Sequence, residues 1–221
     1  MGTRIDLKAS DGHRFTAYRA DPEGQPRGGV VIIQEVFGLN DHVRSVCDGY
    51  AADGYAVLGP ALFDRVEKGV ELGYQGGDLA RGRELRGAVG WDDPLLDLRA
   101  AVDAVKRAGK VGVVGYCWGG SLAWLCATRL GVDAAVCYYG GQIADFIDES
   151  PRCPVMLHFG EKDAFIPGEK VKLVAEKHPN LPLFTYPAGH GFNCESRADY
   201  HPQSAQLARS RTLDFLSAHL G

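Results

Sequence analysis

Residues 113–123 read VVGYCWGGSLA. An apolar run meets a glycine, a cysteine stands two positions later, two more glycines follow, and small residues then open a helix. Gly115-x-Cys117-x-Gly119 has the spacing of a nucleophile elbow, a strained strand-to-helix turn that pushes its central side chain outward. The glycines provide room, because side chains at 115 and 119 would collide with the neighbouring strand and helix. A structural cysteine buried in a tight turn would give the same five residues. Context favours the reactive reading: an apolar strand lies directly before, a small-residue helix directly after, and that helix's N-terminus points at the thiol, where it stabilises negative charge.

Working outward, the same alternation of strand and helix covers the chain. TRIDLKA and RFTAYRA, joined by SDGH, have hairpin spacing. VVIIQEVFG is apolar enough for a strand covered on both faces. DHVRSVCDGYAADGY follows with helical spacing and Asp41 as its expected N-cap, then the strand AVLGPAL. DDPLLDLRAAVDAVKRAG is an amphipathic helix before the strand KVGVVGY, and the helix after the elbow leads to the strand DAAVCYYG. CPVMLHFG, a helix around GEKVKLVAEKH, LPLFTYP and a closing helix within residues 199–220 complete the series. This order predicts an α/β fold in one domain, residues 1–221: a mostly parallel, doubly wound sheet of about eight strands flanked by helices, with an antiparallel N-terminal hairpin. Residues 64–91 are polar, glycine-rich and only partly helical in pattern, so they are read as an insertion that covers the substrate.

At 221 residues the chain is long enough to bury a full core without staples. A net charge of -4, spread without long single-sign blocks, argues against a nucleic-acid or membrane partner. The longest apolar runs are far short of a span, and MGTRIDLKASDGH carries no secretory pattern, so a cytoplasmic protein is expected. Six cysteines (Cys47, Cys117, Cys126, Cys137, Cys153 and Cys194) lie far apart with no C-x-x-C pair, which indicates neither a zinc knuckle nor a disulfide framework. No metal and no cofactor is expected, and a monomer is expected with a dimer left open.

An elbow nucleophile requires an acid and then a histidine, in that chain order. Asp163 follows a predicted strand in HFGEKDAFIP, at the carboxyl end where open α/β sheets place ligands, with Glu161 as a competitor two residues away. His190 sits in the glycine-flanked loop YPAGHGFNC before the last helix. The other six histidines, including His42, His158 and His178, match no such slot. Glu35 lies at the end of an apolar strand, where a carboxylate is costly unless hydrogen-bonded or functional. The same turn is expected to supply the N–H of Val36 to an oxyanion hole beside the N–H of Trp118.

QEVFGLN, VVGYCWGG, YYG, GEKDAFIP and AGHGFN, in that order over nearly the whole chain, resemble the dienelactone hydrolase family, a cysteine-using branch of the α/β-hydrolase fold. The resemblance implies Cys117 as nucleophile, Asp163 as acid, His190 as base and Glu35 as a carboxylate paired with the thiol. It also implies a substrate-side role for Tyr138, the first tyrosine of YYG. Two arginines that hold a substrate carboxylate in the family match incompletely. The position four residues after His190 is Cys194, with Arg197 nearby as a substitute, and DLARGRELR offers Arg81, Arg83 or Arg86 with the register open, Arg81 being the working choice.

A carboxylate beside the thiol would hold it neutral at rest, and substrate binding would then release it to His190, oriented by Asp163. Cysteine also restricts the substrate. A thiolate added to a carbonyl leaves more readily than an alkoxide, so simple alkyl esters revert, whereas enol-lactones and activated esters proceed to a thioester that water opens. The implied function is therefore hydrolysis of a small-molecule enol-lactone or activated ester. The competing readings are a non-catalytic ligand-binding or redox-sensing protein on the same fold, and a thioesterase or peptidase using the same triad.

Overall fold

The strand residues are apolar on both faces because both faces are covered. In the computed structural model, which describes residues 2–221, every residue of β3 (Gly29–Ile33), β4 (Ala56–Pro60), β5 (Val111–Tyr116), β6 (Ala134–Tyr138) and β7 (Val155–Gly160) is buried. With β1 (Thr3–Lys8), β2 (Arg14–Ala20) and β8 (Leu183–Tyr186) they form one eight-stranded sheet in the order β1-β2-β4-β3-β5-β6-β7-β8. β1 pairs antiparallel with β2, β2 antiparallel with β4, and the remaining pairs are parallel. The sheet, its strand count and its antiparallel hairpin are as the sequence predicts.

Helices α1 (Asp41–Ala52) and α6 (Pro202–Leu220) pack together on one face, where the Arg209 guanidinium lies 3.4 Å from the centroid of the Tyr50 ring. On the other face lie α3 (Asp92–Val105), α4 (Trp118–Arg129) and α5 (Gly168–Lys177); the Trp124 ring of α4 meets His178, just past α5, at 4.9 Å. The cap of α1 is Asn40 rather than Asp41. Its side chain accepts the N–H of Val43 at 3.2 Å, and Asp41 is the first helical residue. No helix among the described residues is long and apolar enough to cross a membrane.

The chain leaves β3, winds to one side through α1 into β4, and returns to the other side of β3 as β5. The strand order therefore reverses between β3 and β5, and a crevice opens at their carboxyl ends, where Glu35 and Cys117 follow directly. The 64–91 segment lies near this end and is more regular than its composition predicts. It holds one full helix, α2 (Asp78–Val89). Its root is tied down by Asp64, which accepts the N–H groups of Thr16 (2.8 Å) and Gly69 (3.0 Å), and by Arg65, which donates twice to Asp97 of α3 at 2.8 Å. α2 comes as close as it does because residue 82 is glycine: a Cβ there would stand 2.0 Å from the carbonyl oxygen of Val36.

Candidate active site

Cys117 lies between the last residue of β5 and the first of α4, with φ 55° and ψ -117°. A non-glycine residue is rarely held in this region, and doing so costs on the order of 1–3 kcal/mol. The surrounding backbone holds it there: the Cys117 N–H donates to the Tyr138 carbonyl at 3.0 Å, and its own carbonyl accepts the N–H of Gly120 at 2.9 Å. The turn closes only because side chains are missing. A Cβ at 119 would be 2.3 Å from the Ile33 carbonyl oxygen, and one at 115 would be 1.8 Å from that of Gly119. The thiol keeps partial access to solvent while its neighbours are buried.

Three side chains from distant parts of the sequence meet there. His190 Nε2 is 3.1 Å from Cys117 Sγ, and His190 Nδ1 is 2.7 Å from Asp163 Oδ2. A carboxylate only accepts, so Nδ1 carries a proton and donates it to Asp163. The other oxygen of Asp163 accepts the N–H groups of Phe165 (2.8 Å) and Ile166 (3.0 Å), which fix the carboxylate in the loop after β7. Burial opposes the charged form of His190, but the Cys117 sulfur and the Asp163 carboxylate outweigh it, and the imidazole pKa rises to about 10. The rings of Tyr139 and Phe165 flank the imidazole at 5.1 and 5.2 Å.

The cleft above the sulfur is lined by Val36, Phe37, Leu79, Phe165 and Ile166 together with Arg83, Arg86 and Arg197. The two expected oxyanion donors are Val36 and Trp118. Trp118 is the first residue of α4, so its N–H has no partner within the helix, and Val36 borders the cleft beside Cys117.

Three expectations need correction. Glu35 is buried, but its hydrogen bond goes to Arg197, whose Nη1 donates to Oε1 at 3.1 Å, while the hydrogen bond of the thiol goes to His190. A cation from the loop after His190 thus takes the carboxylate that was expected to hold the thiol at rest. Tyr138 is fully buried, with its hydroxyl 2.7 Å from Thr212 of α6 in a network that includes His158 and Tyr186. It is a core residue rather than a substrate contact, and the tyrosine beside the His190 imidazole is Tyr139, one position beyond the strand and itself at φ 39°. Arg81 pairs with Glu67 and, at 2.8 Å, with Glu84 on the outer side of α2. The arginines of that helix that reach the cleft are Arg83 and Arg86, on the same face as Leu79. Sequence reasoning also passed over Phe165, whose ring carries the Arg83 guanidinium 5.3 Å from its centroid.

Among the described residues, the side chains placed to hold a metal are Glu35, His42 and Cys194. Cys117, Asp163 and His190 are not among them.

The model of the dienelactone hydrolase family matches residues 15–220. The carboxymethylenebutenolidase of Pseudomonas putida is 36% identical over 227 residues, which cover 96% of this chain and 95% of that protein. That of Pseudomonas sp. strain P51 is 32% identical, covering 96% and 93%. Among solved structures, a Klebsiella pneumoniae protein provisionally described as a dienelactone hydrolase superposes with a TM-score of 0.86 at 28% identity, over 98% of this chain and 100% of that one. A dienelactone hydrolase-like promiscuous phosphotriesterase from metagenomic libraries shares the fold, with a TM-score of 0.78 at 21% identity.

Proposed function

Since this chain belongs to the dienelactone hydrolase family, we propose that it opens an enol-lactone or an activated ester through a thioester on Cys117. The protein is a carboxylic ester hydrolase of the lactone-opening kind. The thioester route rests on one observation, the unbroken contact from Asp163 through His190 to the Cys117 sulfur.

In this route the proton of the Cys117–His190 pair lies on the imidazole when the sulfur attacks, and the imidazolium, protonated on both nitrogens, is held between the Asp163 carboxylate and the sulfur. The thiolate attacks the carbonyl carbon, and the carbonyl oxygen becomes an oxyanion that accepts the N–H groups of Trp118 and Val36. The C–O bond to the enol then breaks. The departing enolate is stabilised enough to compete with the thiolate as leaving group, and it takes the proton from His190 Nε2, which leaves the imidazole neutral. In the second half, neutral His190 removes a proton from a water molecule, the hydroxide adds to the thioester, and the C–S bond breaks to return the thiolate and the carboxylate product.

Arg83 and Arg86 reach the cleft with no acidic group within 4.0 Å of either among the described residues, whereas the charge of Arg197 is taken by Glu35. The site therefore favours a substrate that carries its own carboxylate, held from the α2 side, and α2 acts as the substrate-covering insertion. All six cysteines are free, which fits a reducing compartment and hence the cytoplasm.

The test is Cys117→Ser, assayed with a p-nitrophenyl ester and with an enol-lactone, and followed by intact-protein mass after mixing with the ester. Wild type forms an acyl adduct and the variant loses at least about a hundredfold in turnover, the size of effect expected when a positioned nucleophile is removed. Undiminished turnover in the variant, or an acyl adduct on another residue, would sink the assignment.

A further inference from the structure

Gln142, in the loop after β6, borders the cleft beside Cys117 and has one polar group left over. Its main-chain N–H donates to Ser121 Oγ at 3.1 Å, and its carbonyl accepts the N–H of Asp145 at 3.0 Å. Ser121 Oγ also lies 3.2 Å from Oε1 of the Gln142 side chain. A hydroxyl has a single hydrogen. Ser121 already accepts the main-chain N–H and reaches no other acceptor among the described residues, so its hydrogen goes to Oε1. This network sets the orientation of the amide, and the two N–H groups of Nε2 have no partner among the described residues.

A glutamine that merely faces solvent samples many rotamers, whereas this one is clamped twice by a serine that is fully buried. Ser121 stands one turn beyond Cys117 on α4, and its N–H donates to the Cys117 carbonyl at 3.3 Å. The amide is therefore held in the frame of the sulfur itself. The free cations of the cleft come from another side: α2 carries Arg83 and Arg86 and lies against Val36 after β3, while Gln142 follows β6, two strands along the sheet. A neutral donor fixed in advance, away from those guanidiniums, suits a neutral oxygen rather than a carboxylate.

We propose that Gln142 determines specificity by donating an Nε2–H to a neutral oxygen, a carbonyl, ether or hydroxyl, in the acyl part of the substrate. The leaving oxygen has to face His190 Nε2 to take its proton, and the oxyanion faces the N–H groups of Trp118 and Val36, so the donor tied to α4 is left for the part that stays on the sulfur. The substrate class is then an oxygen-bearing acyl chain or lactone ring, read at the Gln142 end by a hydrogen bond and at the α2 end by charge. An all-carbon analogue that fills the same space leaves the amide hydrogens unpaired, which is how a polar subsite rejects it. The inference rests on the ester-opening reading above and not on which side chain carries the acyl group.

The full-length protein is assayed with p-nitrophenyl methoxyacetate, 3-methoxypropanoate and 4-methoxybutanoate, each paired with the butanoate, pentanoate or hexanoate of equal chain length. Within a pair the only change is CH2 to O, and across the pairs that oxygen moves away from the carbonyl. The ratio of kcat/KM within each pair is taken for wild type, Gln142→Leu and Gln142→Glu. The glutamate variant keeps the side chain's size and the bond from Ser121 but lacks both N–H donors. In at least one pair the ratio should fall about three- to tenfold in both variants, the worth of one neutral hydrogen bond. Activation of the ester by the ether oxygen is common to all three proteins and cancels, and a variant that folds poorly loses both members of a pair alike. Ratios unchanged in every pair, or a loss shared equally by the ether and hydrocarbon esters, overturn the inference. The Cys117 assignment fails separately, by a missing acyl adduct.

Discussion

Replacing Arg197 with methionine removes one half of a buried ion pair and keeps most of its volume. The Glu35 carboxylate is 1% exposed, and the Arg197 side chain is 11% exposed. The carboxylate has no fallback, since Oε1 relies on Arg197 at 3.1 Å and Oε2 is already unpartnered. Breaking such a pair costs about 3–5 kcal/mol. The adjoining cleft admits water to the vacated side, which favours the lower end, about 3 kcal/mol. For a chain of this size 1 kcal/mol moves the Tm by roughly 2–4 °C, so Arg197→Met should melt about 6–12 °C below wild type. The assay is a double-mutant cycle in chelator-containing buffer, with Arg197→Met, Glu35→Gln and the pair, each unfolded thermally and in urea. A neutral amide has no charge to strand, so Glu35→Gln in the methionine background should recover on the order of 2 kcal/mol. If Arg197→Met lies within about 1 kcal/mol of wild type, or the double variant is no better than the single, the pair does not hold the loop.

Gly119→Ala places a Cβ 2.3 and 2.5 Å from the main-chain oxygens of Ile33 and Gln34, so it should lose about 2–3 kcal/mol and much of its turnover; a Tm drop under about 2 °C contradicts the packing argument. The His190 imidazole is raised from 6.5 to about 10, so its contribution to stability is complete below about 6.5 and fades as pH climbs through 10. Wild-type Tm should therefore fall more steeply between pH 7 and 10 than that of His190→Gln, and parallel slopes would contradict this. His158, buried and lowered from 6.5 to about 3 mainly by burial and then by Arg211, is neutral in the fold and takes up a proton on unfolding. Stability should drop as pH falls from about 6.5 toward 3, and His158→Gln should flatten that limb of a melting-versus-pH curve.

The sheet and the meeting of Cys117, Asp163 and His190 were legible because both are written in short-range pattern. A strand covered on both faces is apolar throughout, and an elbow needs glycines at set distances from its centre. Asp163 and His190 each follow a strand end, so chain order pointed to them as neighbours of Cys117 without any knowledge of distance. The errors arose where a side chain's direction, and not its presence, decides the matter. Tyr138 and Tyr139 differ by one position at a strand end, and that one step turns one ring toward α6 and the other toward the imidazole. Arg81, Arg83 and Arg86 lie on one helix, where 100° per residue separates the outer face from the face shared with Leu79; the apolar Leu79 was a usable signal for the register. The Glu35–Arg197 pair spans 162 residues and depends on how a loop is folded back, which no local pattern encodes.

The backbone of residue 117 sits where glycine would be at ease and cysteine is not. On the thioester route proposed above, chemistry and endurance pull in opposite directions at a single codon: replacing the sulfur-bearing residue with glycine relaxes the turn and removes the proposed nucleophile. On that route, a descendant released from the need to turn over its substrate would gain stability by exchanging Cys117 for glycine.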